Sequence, residues 1–189
     1  MKKLILSLLV AAFVGGNTLS AQTITKNEDG KYSLSVGHVT LTVDAQKGGK
    51  IVSYRYDDKE VLSQTRMPNS FGSTFWTSPQ SEWNWPPVPE YDTKPFNAEV
   101  AGDKLILTGE KSKRFGYRVR KELTTDEKDN AIVITYTIIN ESGETRKVAP
   151  WEISRVPNGG ILFFDAKEVT PANNMETMPF VYEKKAAWY

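Results

Sequence analysis

Past the first two dozen residues, apolar and polar positions alternate in short runs. Val39, Leu41 and Val43 alternate with Thr40, Thr42 and Asp44, the period of a half-buried strand. Gln46 to Gly49 reads as a turn, Ile51 to Tyr56 as the returning strand, and Asp57-Asp58 as the next turn. Asn97 to Val100 and Lys104 to Thr108 flank Gly102-Asp103, which predicts a hairpin. Phe115, Tyr117, Val119 and Leu123 share one face against Arg118, Arg120 and Glu122. Ile132 to Ile139 is apolar on both faces, the pattern of a central strand. Asn140 to Glu144 then turns, Thr145 to Ile153 reads as another strand, and Asn158-Gly159-Gly160 precedes one over Ile161 to Phe164. Pro179 to Tyr189 has the look of a last strand. No helical period stands out. Short strands at this spacing predict an all-β, antiparallel β-sandwich, organised as one domain over residues 22–189.

The start of the chain has a different pattern. Met1-Lys2-Lys3 is basic, Leu4 to Val14 is a short apolar run, and Asn17 to Ala21 ends in small residues. That order predicts a cleaved signal peptide over residues 1–21 and a periplasmic or secreted bacterial protein. The apolar run is short for a bilayer span, so no stable membrane anchor is expected after cleavage. The end of the chain carries an aromatic pair, Trp188-Tyr189. The pair either docks in the core or marks a domain left incomplete at its C-terminus.

Composition narrows the chemistry. The chain has no cysteine, which removes disulfides, thiol nucleophiles and thiolate metal sites. Its formal charge is +1, which falls to about −1 once Lys2 and Lys3 leave with the signal. The longest basic cluster, Lys111 to Lys121, is interrupted by Phe115 and Tyr117 and reads as a solvated strand face rather than a nucleic-acid stripe. The single histidine, His38, begins an early strand and forms no metal set. Neither a metal nor another cofactor is expected.

One segment breaks the alternation. Phe71 to Phe96, FGSTFWTSPQSEWNWPPVPEYDTKPF, holds three of the five tryptophans and five of the ten prolines. Prolines at this density argue for a long loop laid over the scaffold. Trp76, Trp83 and Trp85 lie beside Gln80, Glu82, Asn84 and Glu90. Flat rings next to amides and carboxylates suit a sugar, with rings stacking on C–H faces and polar groups taking hydroxyls. The competing reading has the same rings plugging one end of the sandwich core.

Three segments carry a resemblance. HVTLTVDAQKGGKIVSYRYDDKEVL, His38 to Leu62, resembles the first strands of galactose mutarotase-like (aldose 1-epimerase-like) domains. FWTSPQSEWNWPP, Phe75 to Pro87, and VAPWEISRVPNGG, Val148 to Gly160, are similar to a mostly exported bacterial branch of that superfamily that has no agreed activity. The resemblance spans Tyr32 to Phe164. It implies a galactose mutarotase-like supersandwich with a sugar cleft on the concave face of one sheet. In mutarotases a histidine protonates the ring oxygen and a glutamate takes the anomeric proton. By strand order the histidine position is occupied here by Glu152, after Trp151, and the position of the base lies beyond Tyr189.

These readings give three functional expectations. The first is an exported carbohydrate-binding protein that takes a mono- or oligosaccharide. Trp76, Trp83, Trp85 and Trp151 would stack, and Gln80, Glu152 and Arg155 would bind hydroxyls or an acidic group, with Arg66 and Asn84 as further candidates. The second is a carbohydrate-active enzyme, aldose 1-epimerase-like, with Glu152 as acid or base; paired with Glu82, it could also support glycosidic hydrolysis. The third is an envelope domain that uses the tryptophan loop as a protein interface.

Overall fold

The alternation at the start of the domain becomes an antiparallel meander of β1 (Ile24–Lys26), β2 (Tyr32–Val36), β3 (Val39–Asp44) and β4 (Lys50–Tyr56). This computed structural model describes residues 24–65, 67, 71–165, 181–183 and 186–188. The expected signal segment, Arg66 and Tyr189 lie outside the described residues. A short β5 (Lys59–Glu60) folds back on β4, and β6 (Ser73–Ser78) and β11 (Ala149–Ser154) complete a seven-stranded sheet in the order β1-β2-β3-β4-β6-β11. The second sheet joins β7 (Asn97–Ala101), β8 (Lys104–Thr108), β9 (Tyr117–Asp126) and β10 (Ala131–Asn140) in the order β10-β9-β8-β7. The all-β sandwich is therefore the observed architecture. Its only described helical turns are α1 (Pro89–Asp92) and a three-residue 3₁₀ turn at Gln80–Glu82.

Several boundaries differ from expectation. The proline-rich run is not all loop, because its first part is β6, paired with β11 along its length and touching β4 at Ile51↔Ser73. The prolines begin only at Pro79, past the end of that strand. β10 is not central: among the described residues its one strand neighbour is β9. One face of β10, with Ile132, Ile134, Tyr136 and Ile138, packs on the core, whereas Val133 on the other face is exposed. β11 starts at Ala149 rather than Thr145. The last segments form a third, three-stranded sheet of β12 (Phe163–Asp165), β13 (Val181–Glu183) and β14 (Ala186–Trp188). There Trp188 stacks on the exposed Phe163 instead of docking in the core.

Inward side chains of both sheets form one core, with Leu34, Val43, Leu105, Leu107, Tyr117 and Val119 fully enclosed. Phe75 of β6 and Tyr136 of β10 bridge the layers as a parallel stack, with centroids 4.5 Å apart. A β-bulge decides what β4 presents. Tyr54 opposes Leu41, but the register slips between Thr42 and Val43, so Ile51 opposes Val43 and Lys50 opposes Asp44. The slip keeps Ile51 in the core and turns Lys50 to the opposite face, the local re-aiming that bulges provide. The turn after β3 depends on Gly48 (φ +66°), where an added Cβ would lie 2.2 Å from the Asp92 carbonyl oxygen.

One inward position of β9 is charged. Lys121 is buried in the series Tyr117, Val119, Lys121, Leu123. Its Nζ donates to the carbonyls of Gly48 (2.9 Å) and Gly49 (2.8 Å) and lies over the rings of Phe96 and Tyr136. Burial, reinforced by the charge of Lys50, pushes the amine down to about 7, while Asp92 and Glu152 pull the other way. In the unfolded chain the ordinary lysine value of 10.5 applies. The unfolded state thus binds more protons between these values, and stability rises with pH across that window. We expect urea unfolding to show a gain on the order of 1 kcal/mol per pH unit from about pH 7 toward pH 10. Lys121→Met should flatten that slope, and a slope unchanged in the variant would exclude Lys121 as its source.

Candidate functional site

The geometry of the site follows from the pairing of β6 with β11. Directly opposed residues of an antiparallel pair share a face. Trp151 opposes Trp76 and Ile153 opposes Thr74, whereas Glu152 opposes Phe75 and Ser154 opposes Ser73. Because Phe75 stacks on Tyr136 of the second sheet, the Glu152 row takes the side of that sheet and the Trp151 row the other, although at β11 Glu152 and Ser154 are exposed while Trp151 and Ile153 are half-buried. The Trp-Glu-x-x-Arg strand end is therefore divided between two faces of one sheet.

On the outward face Trp76 is the hub of four indoles. Trp83 (5.8 Å), Trp85 (6.1 Å) and Trp151 (5.5 Å) each meet it edge to face. Trp83 and Trp151 lie tilted at 6.2 Å, and the Arg155 guanidinium sits 6.0 Å over the Trp76 ring. Two indole N–H groups are committed internally: Trp76 donates to Asp92 (3.0 Å) and Trp83 to the Thr77 carbonyl (2.8 Å). Asp92 also pairs with Lys50 at 3.1 Å, both side chains being buried. Burial pushes the Lys50 amine down, and Asp92 opposes that shift.

The four rings do not share one environment. Trp76 and Trp83 belong to the hydrophobic core, Trp151 is half-buried, and Trp85 is 64% exposed. Asn84 separates Trp83 from Trp85 with a left-handed backbone (φ 57°), a conformation asparagine tolerates better than most residues. That turn sends one tryptophan inward and the next outward. Exposed Gln80 donates its amide to the Asn84 carbonyl (3.3 Å) and lies on the same loop as the Trp85 ring.

Glu152 keeps other company. Its Oε1 accepts from the hydroxyls of Ser73 and Ser154, the latter at 3.0 Å. Tyr136 beside it is raised to about 12, by burial first and the Glu152 charge second. Arg155 does not pair with Glu152; its Nη1 donates to the Gly72 carbonyl (3.2 Å) and to Thr74 Oγ1 (3.5 Å). Glu82 is half-buried, with Oε2 lacking a hydrogen-bond partner among the described residues, and its charge acts on Tyr91 and Tyr117 rather than on the Glu152 group. His38 is exposed and pairs with Asp57 at 2.6 Å.

No protein-family model matches the chain, and no curated protein matches it. Among solved structures it is similar to the 4-alpha-glucanotransferase from Thermococcus litoralis, at 15% sequence identity and a TM-score of 0.43. The likeness covers 74% of this chain but 28% of that enzyme, so the chain spans less than a third of its length. A likeness at this level transfers no activity.

Asp92 and Lys50 are central to the arrangement, and sequence reasoning did not single them out. The available signal was slight: an acid directly after Tyr91 in the proline-bounded turn Pro89 to Pro95. The ring environments give a prediction. Trp83→Ala should cost about 3–5 kcal/mol of stability, as for other buried aromatics cut to alanine. Trp85→Ala should cost under about 1 kcal/mol, as for an exposed position. Chemical denaturation of the two variants measures both, and equal losses would contradict the placement of the rings.

Proposed function

We propose that this is an exported carbohydrate-binding protein on a mutarotase-like sandwich, with Trp85 as the stacking platform. The observation that carries the reading is the exposed Trp85 ring, braced edge-on by the buried Trp76. A large ring held out in water loses hydrophobic stabilisation and has a reason to be covered. The C–H face of a pyranose covers such a ring while its hydroxyls remain available to polar neighbours. Gln80 and Asn84 on the loop supply amides, and half-buried Trp151 and Arg155 border the same face. Trp76 and Trp83 brace the platform from inside. The basic, apolar and small-residue order of residues 1–21 supports export.

Glu152 belongs to the opposite face and is not part of this platform. Intrinsic tryptophan fluorescence, titrated with neutral and acidic mono- and oligosaccharides, tests the proposal. A saturable shift is expected in the parent chain and in Glu152→Gln, and its loss in Trp85→Ala with the circular dichroism spectrum unchanged. A Trp85→Ala protein that keeps the parent affinity would overturn the assignment. Loss of binding in Glu152→Gln would move the site to the inner face.

A further inference from the structure

Of the basic cluster Lys111 to Lys121, Arg118 and Arg120 lie on the outer face of β9 as expected, but its first part is not strand. Residues 109–116 form a loop, and with residues 141–146 it borders an open cavity of about 450 Å³. Lys111, Ser112, Lys113 and Arg114 line it from one side, Ser142 and Arg146 from the other. Both loops are pinned. Ser112 N–H donates to the Tyr117 carbonyl (2.7 Å), Gly116 N–H to the Ser112 carbonyl (2.9 Å), and Glu141 N–H to the Gly116 carbonyl (2.8 Å). Asn140 holds the other turn by accepting from Ser142 and donating to the Glu144 carbonyl. Gly116 (φ +72°) allows the close approach, since a Cβ there would lie 2.7 Å from Ser142 Cα.

The charges around this cavity are not balanced. Lys113 has no carboxylate within ion-pair distance among the described residues. Lys111 donates to the Glu141 carbonyl (2.7 Å) and Arg114 to the Glu82 carbonyl (3.0 Å), so both remain cationic without an acid bound to them. Of three nearby carboxylates, Glu141 pairs with Arg118 (3.0 Å) and Glu144 with Arg146 (3.0 Å), while Glu82 faces the Tyr117 hydroxyl; Lys111, Lys113 and Arg114 still outnumber it. Buried Arg146 Nε has no hydrogen-bond partner among the described residues, and Arg146 and the Glu82 carboxylate both act electrostatically on Tyr117. Pinned loops with surplus positive charge and an unfilled guanidinium N–H fit an oxyanion.

The Arg114 contact joins this cavity to the tryptophan loop. Glu82, whose carbonyl Arg114 holds, is three residues before Trp85. We propose that the cavity binds the carboxylate of a uronate unit, on a glycan whose neighbouring ring stacks on Trp85. This inference rests on the sugar-binding reading and gives it a substrate class, acidic glycans. Lys113 and Arg114 take the carboxylate at the open rim, and Lys111 supplies the field behind it.

Calorimetric titration of the folded chain with tetragalacturonate, neutral galactotetraose and inorganic phosphate, at low and high ionic strength, tests it. Tetragalacturonate should bind more tightly than galactotetraose, and the difference should shrink with salt. Lys113→Gln/Arg114→Gln should weaken tetragalacturonate by about tenfold, the loss expected for one charge-assisted hydrogen bond, and weaken galactotetraose less, through the lost Arg114–Glu82 contact alone. Lys113→Glu alone, at a side chain without an acidic partner, should act in the same direction and covers the case in which the double variant misfolds. Lys59→Ala/Lys128→Ala removes the same charge elsewhere and should have little effect. Equal affinities for the acidic and neutral tetramers, or equal losses in the distant charge control, would overturn the uronate site and leave the Trp85 reading standing. Phosphate competing as well as tetragalacturonate would also overturn the uronate assignment. Absence of binding by either saccharide would overturn both readings together.

Discussion

The contact on which the outward face depends is the buried Asp92 carboxylate. It accepts the Trp76 indole N–H and pairs with Lys50, joining α1, β6 and β4 at one point. Each partner needs the others. Removing one member of a buried ion pair leaves an uncompensated charge, which costs far more than the intact pair contributes. The β4 bulge aims Lys50 at this point, and Gly48 lets the chain pass close to the Asp92 carbonyl. With Trp76 tethered, Trp83, Trp85 and Trp151 acquire defined positions around it. The exposed ring is therefore held by a core interaction rather than by the loop that carries it.

The two faces of β11 impose different environments on adjacent residues. Trp151 joins the aromatic cluster, and Glu152 joins Ser73, Ser154 and Tyr136 at the rim of the interior. Lys121 lies deeper on the same inner side, its amine held by two backbone carbonyls. The open side of the sandwich is spanned by the Phe75–Tyr136 stack between β6 and β10. β10 contains neither a charged residue nor a proline in ten positions, the usual guards of a sheet edge, and that explains why it reads as a central strand.

Much of the fold was legible where one strand face is buried and the other wet. β2, β3 and β9 show that alternation directly, and the hairpin turns between β7 and β8 and after β4 carry their expected residues. β6 was not legible because the second sheet covers one of its faces and the tryptophan loop the other, so STFWTS has no alternation to read. α1 is four residues long, too short to show a helical period. Composition singled out the tryptophans but could not separate Trp83 from Trp85, since their fates diverge at the left-handed Asn84 backbone. The split between Trp151 and Glu152 was readable in principle, because neighbours on a strand point to opposite faces.

The two loops that flank the tryptophan face differ in what water can do for them. Trp85 exposes apolar surface that water hydrates poorly, whereas Lys111, Lys113 and Arg114 expose charge that water hydrates well. Neither surface alone specifies a ligand. Linked through the Arg114–Glu82 contact, they suit a molecule that carries both an apolar ring face and an anionic substituent. A neutral sugar would leave the cations to solvent, and a small free anion would leave the indole bare. In the acidic-glycan proposal both surfaces are covered in one binding event, and the pinned backbones of the 109–116 and 141–146 loops would leave little ordering entropy to lose.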